Sequence, residues 1–533
     1  MNLLDWTTIC AYLIGMIVLS IYLGRGQEHE ADYYVGGRNL PWWAVGISTM
    51  ATQTSAISFI SVPAFVAFRE GGGLTWLQYE LAVPLAIIFV MIFLIPFFRR
   101  LELISVYEFL ERRFGPGTRT LLAGAFLLSR GLAAGVGIYA SAIVPAVCLR
   151  TELWHMILLV GIVTIIYDTI GGMKAVVYSD VIQMVILVGG VFLCVDFALS
   201  EVGGWCTALS AHDPQRFRAL DFSTGLGDGG KFPIWGFLAG GFFLYASYYG
   251  CDQSQVQREL SAPNASHTKL SLMFNGFARL PLTLAYIFLG LAVGAVFVMR
   301  PEAMALIPGG NPDYMVPTFV MEFLPHGIKA LIFAGILAAS MSSLDSALNS
   351  LSASTMRDFI ERFMPPKDLR YHLRLGKMTT VAWGILVILF AFMLGGEETV
   401  VERINKVGSA FYGPILAAFV TGITIRRVSG TGMVSGILTG VGFNLVLWRR
   451  FPEIFWMWWN LTGCVVAILV ALGVSLAKPD RAQNRGPGLS ILWDTNVWQE
   501  ERRWLPIYVG LIIYFIGMVA LCAWLPGFLS NCA

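Results

Sequence analysis

The sequence predicts an all-α polytopic membrane protein with about 14 transmembrane helices. Two observations carry that expectation. Of the 533 residues, 56% are hydrophobic and 13% are charged, whereas a soluble domain sits nearer a quarter charged. Apolar runs of about 20 residues, each long enough to cross a bilayer, recur from end to end. A β-barrel would instead alternate polar and apolar residues over strands of about 10 residues. The net charge of +2 and the lack of a basic domain give no reason to expect nucleic acid as a partner.

The first apolar run, LLDWTTICAYLIGMIVLSIYLGRG, has no basic residue before it and Arg25 after it. A cleaved leader has the opposite order, so 3–24 reads as a retained leading helix that starts outside. Further helices are expected at 41–68, 74–98, 118–147, 152–169, 176–199, 233–251, 268–299, 326–356, 376–395, 402–425, 431–448, 455–477 and 504–526. The inside gaps then hold Arg25 and Arg38, RRLELISVYEFLERRFGPGTR, Lys174, Arg258 with Lys269, RDFIERFMPPKDLRYHLRLGK, Arg426 with Arg427, and the stretch 478–503. They contain roughly two thirds of all Lys and Arg, the bias that sets orientation in a bilayer. An even number of spans returns the C-terminus to the outside of a plasma membrane, the inner membrane in a bacterium. Trp42, Trp43, Trp76, Trp456, Trp458 and Trp459 sit at span ends, where aromatic side chains meet lipid headgroups. The longest outside loop, 200–232, is polar and glycine-rich, and reads as a flap. The eight cysteines are scattered without a CxxC pair and read as small buried hydrophobes.

Polar interruptions inside the spans locate the function. GISTMATQTSAISFIS (46–61) and FLAGGFFLYASYYGCDQSQVQR (237–258) fall in the second and seventh spans, five apart. Broken helices at matching places in two halves point to a transporter site between repeats, because unwound backbone at membrane depth is tolerated where it lines a cavity. Ordinary close packing of small residues is the competing reading of either stretch alone. A third interruption is GGMKAVVYSDVIQ (171–183). The fourth is AASMSSLDSALNS (338–350), in which Ala339, Ser342, Ser343 and Ser346 share one helix face beside Asp345. Hydroxyls, one carboxylate and a free carbonyl suit a hard cation, and a sparse charge suits a monovalent ion that must leave again. Asp180 is a second intramembrane carboxylate; it either pairs with a helix N-terminus or serves an ion or substrate path.

With these residues the chain resembles the sodium:solute symporter family. The resemblance rests on ordered motifs: DYYVGGRNLPWWAVGIS (32–48), SVYEFLERRFG (105–115), IGGMKAVVYSDVIQ (170–183), DQSQVQREL (252–260) and SSLDSALNS (342–350). It implies a LeuT-like fold of two inverted five-helix repeats, at 41–199 and 233–426, with peripheral helices at 431–526. It implies alternating access driven by one or two sodium ions. The main sodium site would use carbonyls of Ala51, Thr54 and Ala339 and hydroxyls of Ser342 and Ser343. A second would use Asp180, Ser342, Asp345 and Ser346, although well-known members carry Ser or Thr at position 345. The solute would be bound by Ser55, Ser58, Gln78, Glu80, Arg130, Tyr248 and Arg279, with Tyr248 as a gate. Position 58 is Ser where sugar carriers have a longer polar side chain, and Lys406 stands where they have Gln.

The expected cargo is therefore a small-molecule solute, a sugar or sugar acid, with a small carboxylate or vitamin-like anion as the alternative. Glu80 favours a polyol and Arg130 an anion; both also have bland readings as a paired carboxylate and a snorkelling arginine. Expected partners are the solute and membrane lipid, with no obligate protein partner. A membrane hydrolase is disfavoured because the six His residues avoid the polar core. A solute sensor or channel is the remaining rival class.

Overall fold

The computed structural model describes residues 2–532, apart from 55, 102, 150, 223–224, 227–231, 364–367, 394–399 and 479–494. Among the described residues every regular element is a helix. The chain begins with α1 (Leu3–Leu23), closed by a reciprocal cap in which Asn2 Oδ1 accepts the Asp5 amide and Asp5 Oδ2 accepts the Asn2 amide. A short α2 (Glu30–Val35) leads into α3 (Trp42–Gln53) and α4 (Ala56–Ala67), which are bent by 56° relative to each other. Thr54 leaves helical geometry at φ −98°, ψ 78° and makes the break.

A helical run α5 (Leu74–Leu101) and a long α6 (Pro116–Leu149) follow. The next element, α7 (Leu153–Val202), has 50 residues, about 75 Å of helix against an apolar bilayer thickness of about 30 Å. It is broken at Gly172, whose φ of 57° and ψ of −159° are not helical. A Cβ there would also sit 2.7 Å from the Tyr33 carbonyl oxygen. Glycine is required on both counts. Next come α8 (Gly241–Cys251) and α9 (Gln253–Glu259), separated where Asp252 turns extended and caps α9 through its side chain. The remaining elements are α10 (Ala265–Met299), α11 (Ile328–Ser354), α12 (Leu369–Met393), α13 (Val400–Thr424), α14 (Gly430–Arg450), α15 (Trp458–Ala477) and α16 (Leu505–Cys532).

Among the described residues eleven helices are long and apolar enough to cross a membrane, or 12 with α3 and α4 taken as one span. That count takes α7 as a single span, although its 50 residues, broken at Gly172, are long enough for two crossings. It also omits 234–251, which stays helical through the π turn at Gly236–Gly240. With both counted, the expectation of about 14 spans from the sequence is met.

The centre of the bundle is α11, packed against α7, α6, α1 and α12. From Ile332 to Ser354 every residue is buried except Ser343, as expected of a helix enclosed on all sides. The periphery is apolar as well: Val185, Phe192, Leu469 and Ile513 are each more than 60% exposed. The cysteines divide. Cys194, Cys251, Cys464 and Cys522 are buried as expected, but Cys10 and Cys206 are exposed because α1 and the flap turn them outward.

The bundle has two chemically distinct ends. At one, Arg99 donates to the carbonyls of Glu259 and Ala262, Arg113 to Ile425, Arg119 pairs with Asp358, and Lys269 pairs with Glu501. All of these segments are assigned to the same side by the charge pattern of the sequence. At the other end Arg300 pairs with Glu201, and the starts of α1 and α11 meet where Asp5 binds His326 and the Gly327 amide. The described part of the flap docks here, with Arg216 donating to the carbonyls of Val66 and Arg69.

Candidate functional site

The α3–α4 break lies against the middle of α11. Thr54 ends α3 with its amide on the carbonyls of Met50 and Ala51, and its hydroxyl returns to Met50. Across from it Ser343 donates to the carbonyl of Thr52 at 3.4 Å. Ala339 lies one turn before Ser343 on the same face of α11. Ala51 and Thr54 at the end of α3, with Ala339 and Ser343 on one face of α11, offer an oxygen-only donor set of the kind that fits a hard monovalent cation. Ser342 points elsewhere: its hydroxyl donates to Asp180 Oδ1 at 2.5 Å.

That contact opens a second polar cluster, walled by α3, α7, α9 and α11. Asp180 Oδ2 accepts from Ser48 at 2.5 Å, and Arg258 Nε donates to the same Ser48 oxygen at 2.8 Å. The Arg258 Nη2 lies 3.6 Å from Asp180 Oδ2 and also reaches Ser346 Oγ. Asp345 accepts from Tyr167 at 2.5 Å and from Ser346 at 3.2 Å. Asp180, Ser342, Asp345 and Ser346 are therefore contiguous, as the sequence suggests, but Arg258 already occupies part of the space between them. Sequence reading treats Arg258 as a loop cation; it is 1% exposed.

The same cluster contains a residue that sequence reading misses. Asp168, next to Tyr167 on α7, is fully buried, and its polar neighbour is the Asn349 Nδ2 that faces it, without the two closing a well-formed hydrogen bond. Three buried carboxylates, Asp168, Asp180 and Asp345, thus share one guanidinium, Arg258. An uncompensated buried charge costs several kcal/mol, so the donor set fits one or two further cations.

Above the α3–α4 break a cavity of about 210 Å³ opens between α4, α5, α6, α8 and α10. Ser58, Glu80, Arg130, Tyr248 and Arg279 all line it, and Ser343 forms part of its wall, so the cavity adjoins the α3–α4 break. Glu80 is already committed: Arg279 holds both its oxygens and Thr283 donates to Oε1 at 3.0 Å. Arg130 differs. Its guanidinium has Tyr248 within hydrogen-bonding reach and Asp252 as an opposite charge nearby, but its Nε has no hydrogen-bond partner and no ion pair closes on it among the described residues. Tyr248 accepts from Gln255 at 2.7 Å and so stands over the α8–α9 break.

Gln78 and Lys406 are not among the residues that line the cavity. Gln78 is outside the cavity: its amide donates to Phe232 and accepts from the Asp221 backbone, tethering the flap. Its polar ends are consumed by backbone, which corrects its assignment to the solute. Ser55 lies outside the described residues, and Lys406 is half-buried on α13 and does not line the cavity.

A family model for the sodium:solute symporter family matches residues 33–440. The chain belongs to this family. Among its relatives, the sodium/sialic acid symporter NanT of Aliivibrio fischeri is 29% identical over 88% of this chain and 92% of its own length. The human sodium/iodide cotransporter is 29% identical over 81% of this chain and 67% of its own length. A solved substrate-bound, outward-open structure of a Na+-coupled sialic acid symporter superposes with a TM-score of 0.79 at 25% identity, covering 89% of this chain and 98% of that one. The fold is LeuT-like, and the family couples solute movement to sodium. Equal identity to a sialic acid carrier and an iodide carrier means that overall similarity does not select the solute, so the cavity must.

Proposed function

We propose that this sodium symporter imports a sugar acid, a polyhydroxylated ring carrying a carboxylate. The observation that carries the reading is the contrast between two cavity arginines. Arg279 is neutralised by Glu80 in a two-point ion pair, whereas Arg130 has no closed ion pair among the described residues and its Nε is without a hydrogen-bond partner. A carboxylate answers that guanidinium with a charge-assisted pair, and Ser58, Thr283 and Tyr248 supply neutral groups for ring hydroxyls. A neutral hexose is less well matched, since Glu80 has its oxygens occupied. A small carboxylate without the ring would satisfy Arg130 alone. The naming of relatives as sialic acid symporters supports the same class.

The main sodium would be bound by the carbonyls of Ala51, Thr54 and Ala339 with Ser343, next to the solute. A second cation would sit in the Asp180–Asp345–Ser346 cluster, whose charge excess favours it. The halves 41–199 and 233–426 act as inverted repeats, with the breaks at Thr54 and Asp252 in equivalent places. The end rich in Arg and Lys faces the cytoplasm, which puts both chain ends outside. Outward apolar side chains such as Phe192 and Leu469 contact lipid.

A thermal-shift panel of sugar acids, neutral sugars and short carboxylates, with and without sodium, tests the reading. Ligands that bind the folded state jointly raise its stability jointly. A sugar acid should raise the melting temperature in sodium and do so weakly in potassium. A response confined to neutral sugars or short carboxylates would replace the solute class.

A further inference from the structure

At the Arg- and Lys-rich end, away from both sites above, three segments converge on one point. Glu30 comes from α2, Glu361 from the turn that continues α11, and His372 from the first turn of α12. One carboxylate oxygen of each glutamate and the His372 Nδ1 all lie within 4.8 Å of one another. The Nδ1 is 3.3 Å from Glu30 Oε1 and 4.0 Å from Glu361 Oε1. Yet Glu30 Oε1, Glu361 Oε1 and His372 Nδ1 face only one another, with no well-formed hydrogen bond to any group outside the trio among the described residues. Glu30 is 8% exposed and His372 is 4% exposed, so water does not readily satisfy them. Orphaned buried polar atoms are rare, and three aimed at one point call for an occupant.

Arg357 explains the other oxygens and leaves these three unexplained. It pairs with Glu30 Oε2 at 3.2 Å and with Glu361 Oε2 at 2.7 Å. Each carboxylate is thereby held from its far side while its near oxygen stays free. Outer partners orient metal-binding carboxylates in the same way. A first-row metal bonds carboxylate oxygen and imidazole nitrogen at about 2.0–2.2 Å, which places neighbouring ligand atoms ~3–3.5 Å apart. The His372–Glu30 separation of 3.3 Å already matches that, and Glu361 Oε1, 4.0 Å from the imidazole, would have to move in by about half an ångström.

We propose that Glu30, Glu361 and His372 form a site for a divalent transition metal of the Zn2+ class, with water completing the shell. One imidazole and two carboxylates with no thiolate match Zn2+, Co2+ or Mn2+. The site clips together three segments whose relation matters for transport. α2 leads into α3, which carries one side of the main sodium site, and α11 carries the other. A metal here fixes the spacing of their ends.

The full-length chain, purified without a polyhistidine tag and stripped with chelator, is loaded with Zn2+ or Co2+ and desalted. Metal is then counted by mass spectrometry. About one metal per chain is expected, with Co2+ visible bands of nitrogen–oxygen coordination, a rise of several degrees in melting temperature, and loss of all three in His372→Ala. Glu361→Gln, which retains an oxygen for Arg357, serves if His372→Ala folds poorly, its folding checked by the stability rise that sodium gives. Retention below roughly a tenth of an equivalent by the native chain would overturn the site and leave a self-contained salt-bridge network of Arg357 and protonated His372. Thiolate charge-transfer bands with Co2+, or unchanged retention in the variants, would equally overturn it by placing the metal elsewhere.

Discussion

Arg279 grips Glu80 from two sides, with Nε 3.1 Å from Oε2 and Nη2 2.7 Å from Oε1. The pair joins α5 to α10 across the solute cavity, and each partner is nearly or fully buried. Removing one partner of such a pair leaves an uncompensated charge and costs roughly 3–5 kcal/mol. Glu80→Gln should therefore destabilise strongly, and the double variant Glu80→Gln with Arg279→Gln should recover most of the loss. Denaturation midpoints of the three variants check this. A double variant as unstable as the sum of the singles would mean that the pair is not the unit of stability.

Ser343→Ala removes a hydroxyl from the proposed main sodium site while leaving the helix core untouched, since Ser343 is the half-buried residue of an otherwise buried stretch. Apparent sodium affinity should weaken by roughly three- to tenfold, on the scale of one lost hydrogen-bonding group. Expression and melting temperature in saturating sodium should be close to those of the parent chain. Sodium titration of uptake reads the effect, and an unchanged midpoint would remove Ser343 from the site.

Asp168, Asp180 and Asp345 repel one another when no ion is present. Asp168→Asn should then raise stability in sodium-free buffer by roughly 1–3 kcal/mol, with a smaller gain in saturating sodium. Asp345→Asn should move the sodium Hill coefficient towards one, because it removes a ligand of the second cation. Melting curves in sodium and in potassium, with uptake titrations, measure both. Equal destabilisation by Asp168→Asn in both salts would mark that carboxylate as structural.

Gln78→Ala should loosen the flap without changing which solute is carried. Its amide makes hydrogen bonds to the Phe232 and Asp221 backbone, and losing them leaves buried backbone groups unpaired at about 1–3 kcal/mol. Limited proteolysis within 200–232 should quicken while ligand preference stays fixed. A changed preference would return Gln78 to the solute cavity.

Much of this was legible in the residues. The breaks at Thr54 and near Asp252 follow from polar, glycine-bearing stretches that no lipid-facing helix would carry. Asp180 and the Ser342–Ser346 face stood out because oxygen is expensive inside an apolar run. Asp168 did not, because it follows IIY at the expected end of a span, where an aspartate normally meets water. The helix continues to the break at Gly172, so Asp168 lies within it and is buried. Arg258 was hidden similarly, since DQSQVQREL reads as a polar loop until the α9 turn folds back beneath α3. The partnership of Glu80 with Arg279 spans 199 positions; side-chain pairing over such distance leaves no local mark in sequence. Gln78 has the residue type of a sugar ligand, and its backbone contacts to the flap become evident once the flap is folded.

The central claim is sodium-driven uptake of a sugar acid held by Arg130, and proteoliposome transport tests it most directly. Vesicles containing the purified chain receive labelled sialic acid under an inward sodium gradient, with potassium as control and an interior-negative potential as the second variable. Net movement of one charge through 100 mV contributes about 2.3 kcal/mol, roughly a 50-fold gain in accumulation. Uptake should require sodium and rise with the potential. Arg130→Ala should lose at least about tenfold in affinity for the acid, and much less for a neutral analogue of the same ring. Sodium-independent uptake, or equal losses for the charged and neutral ligands, would contradict the account.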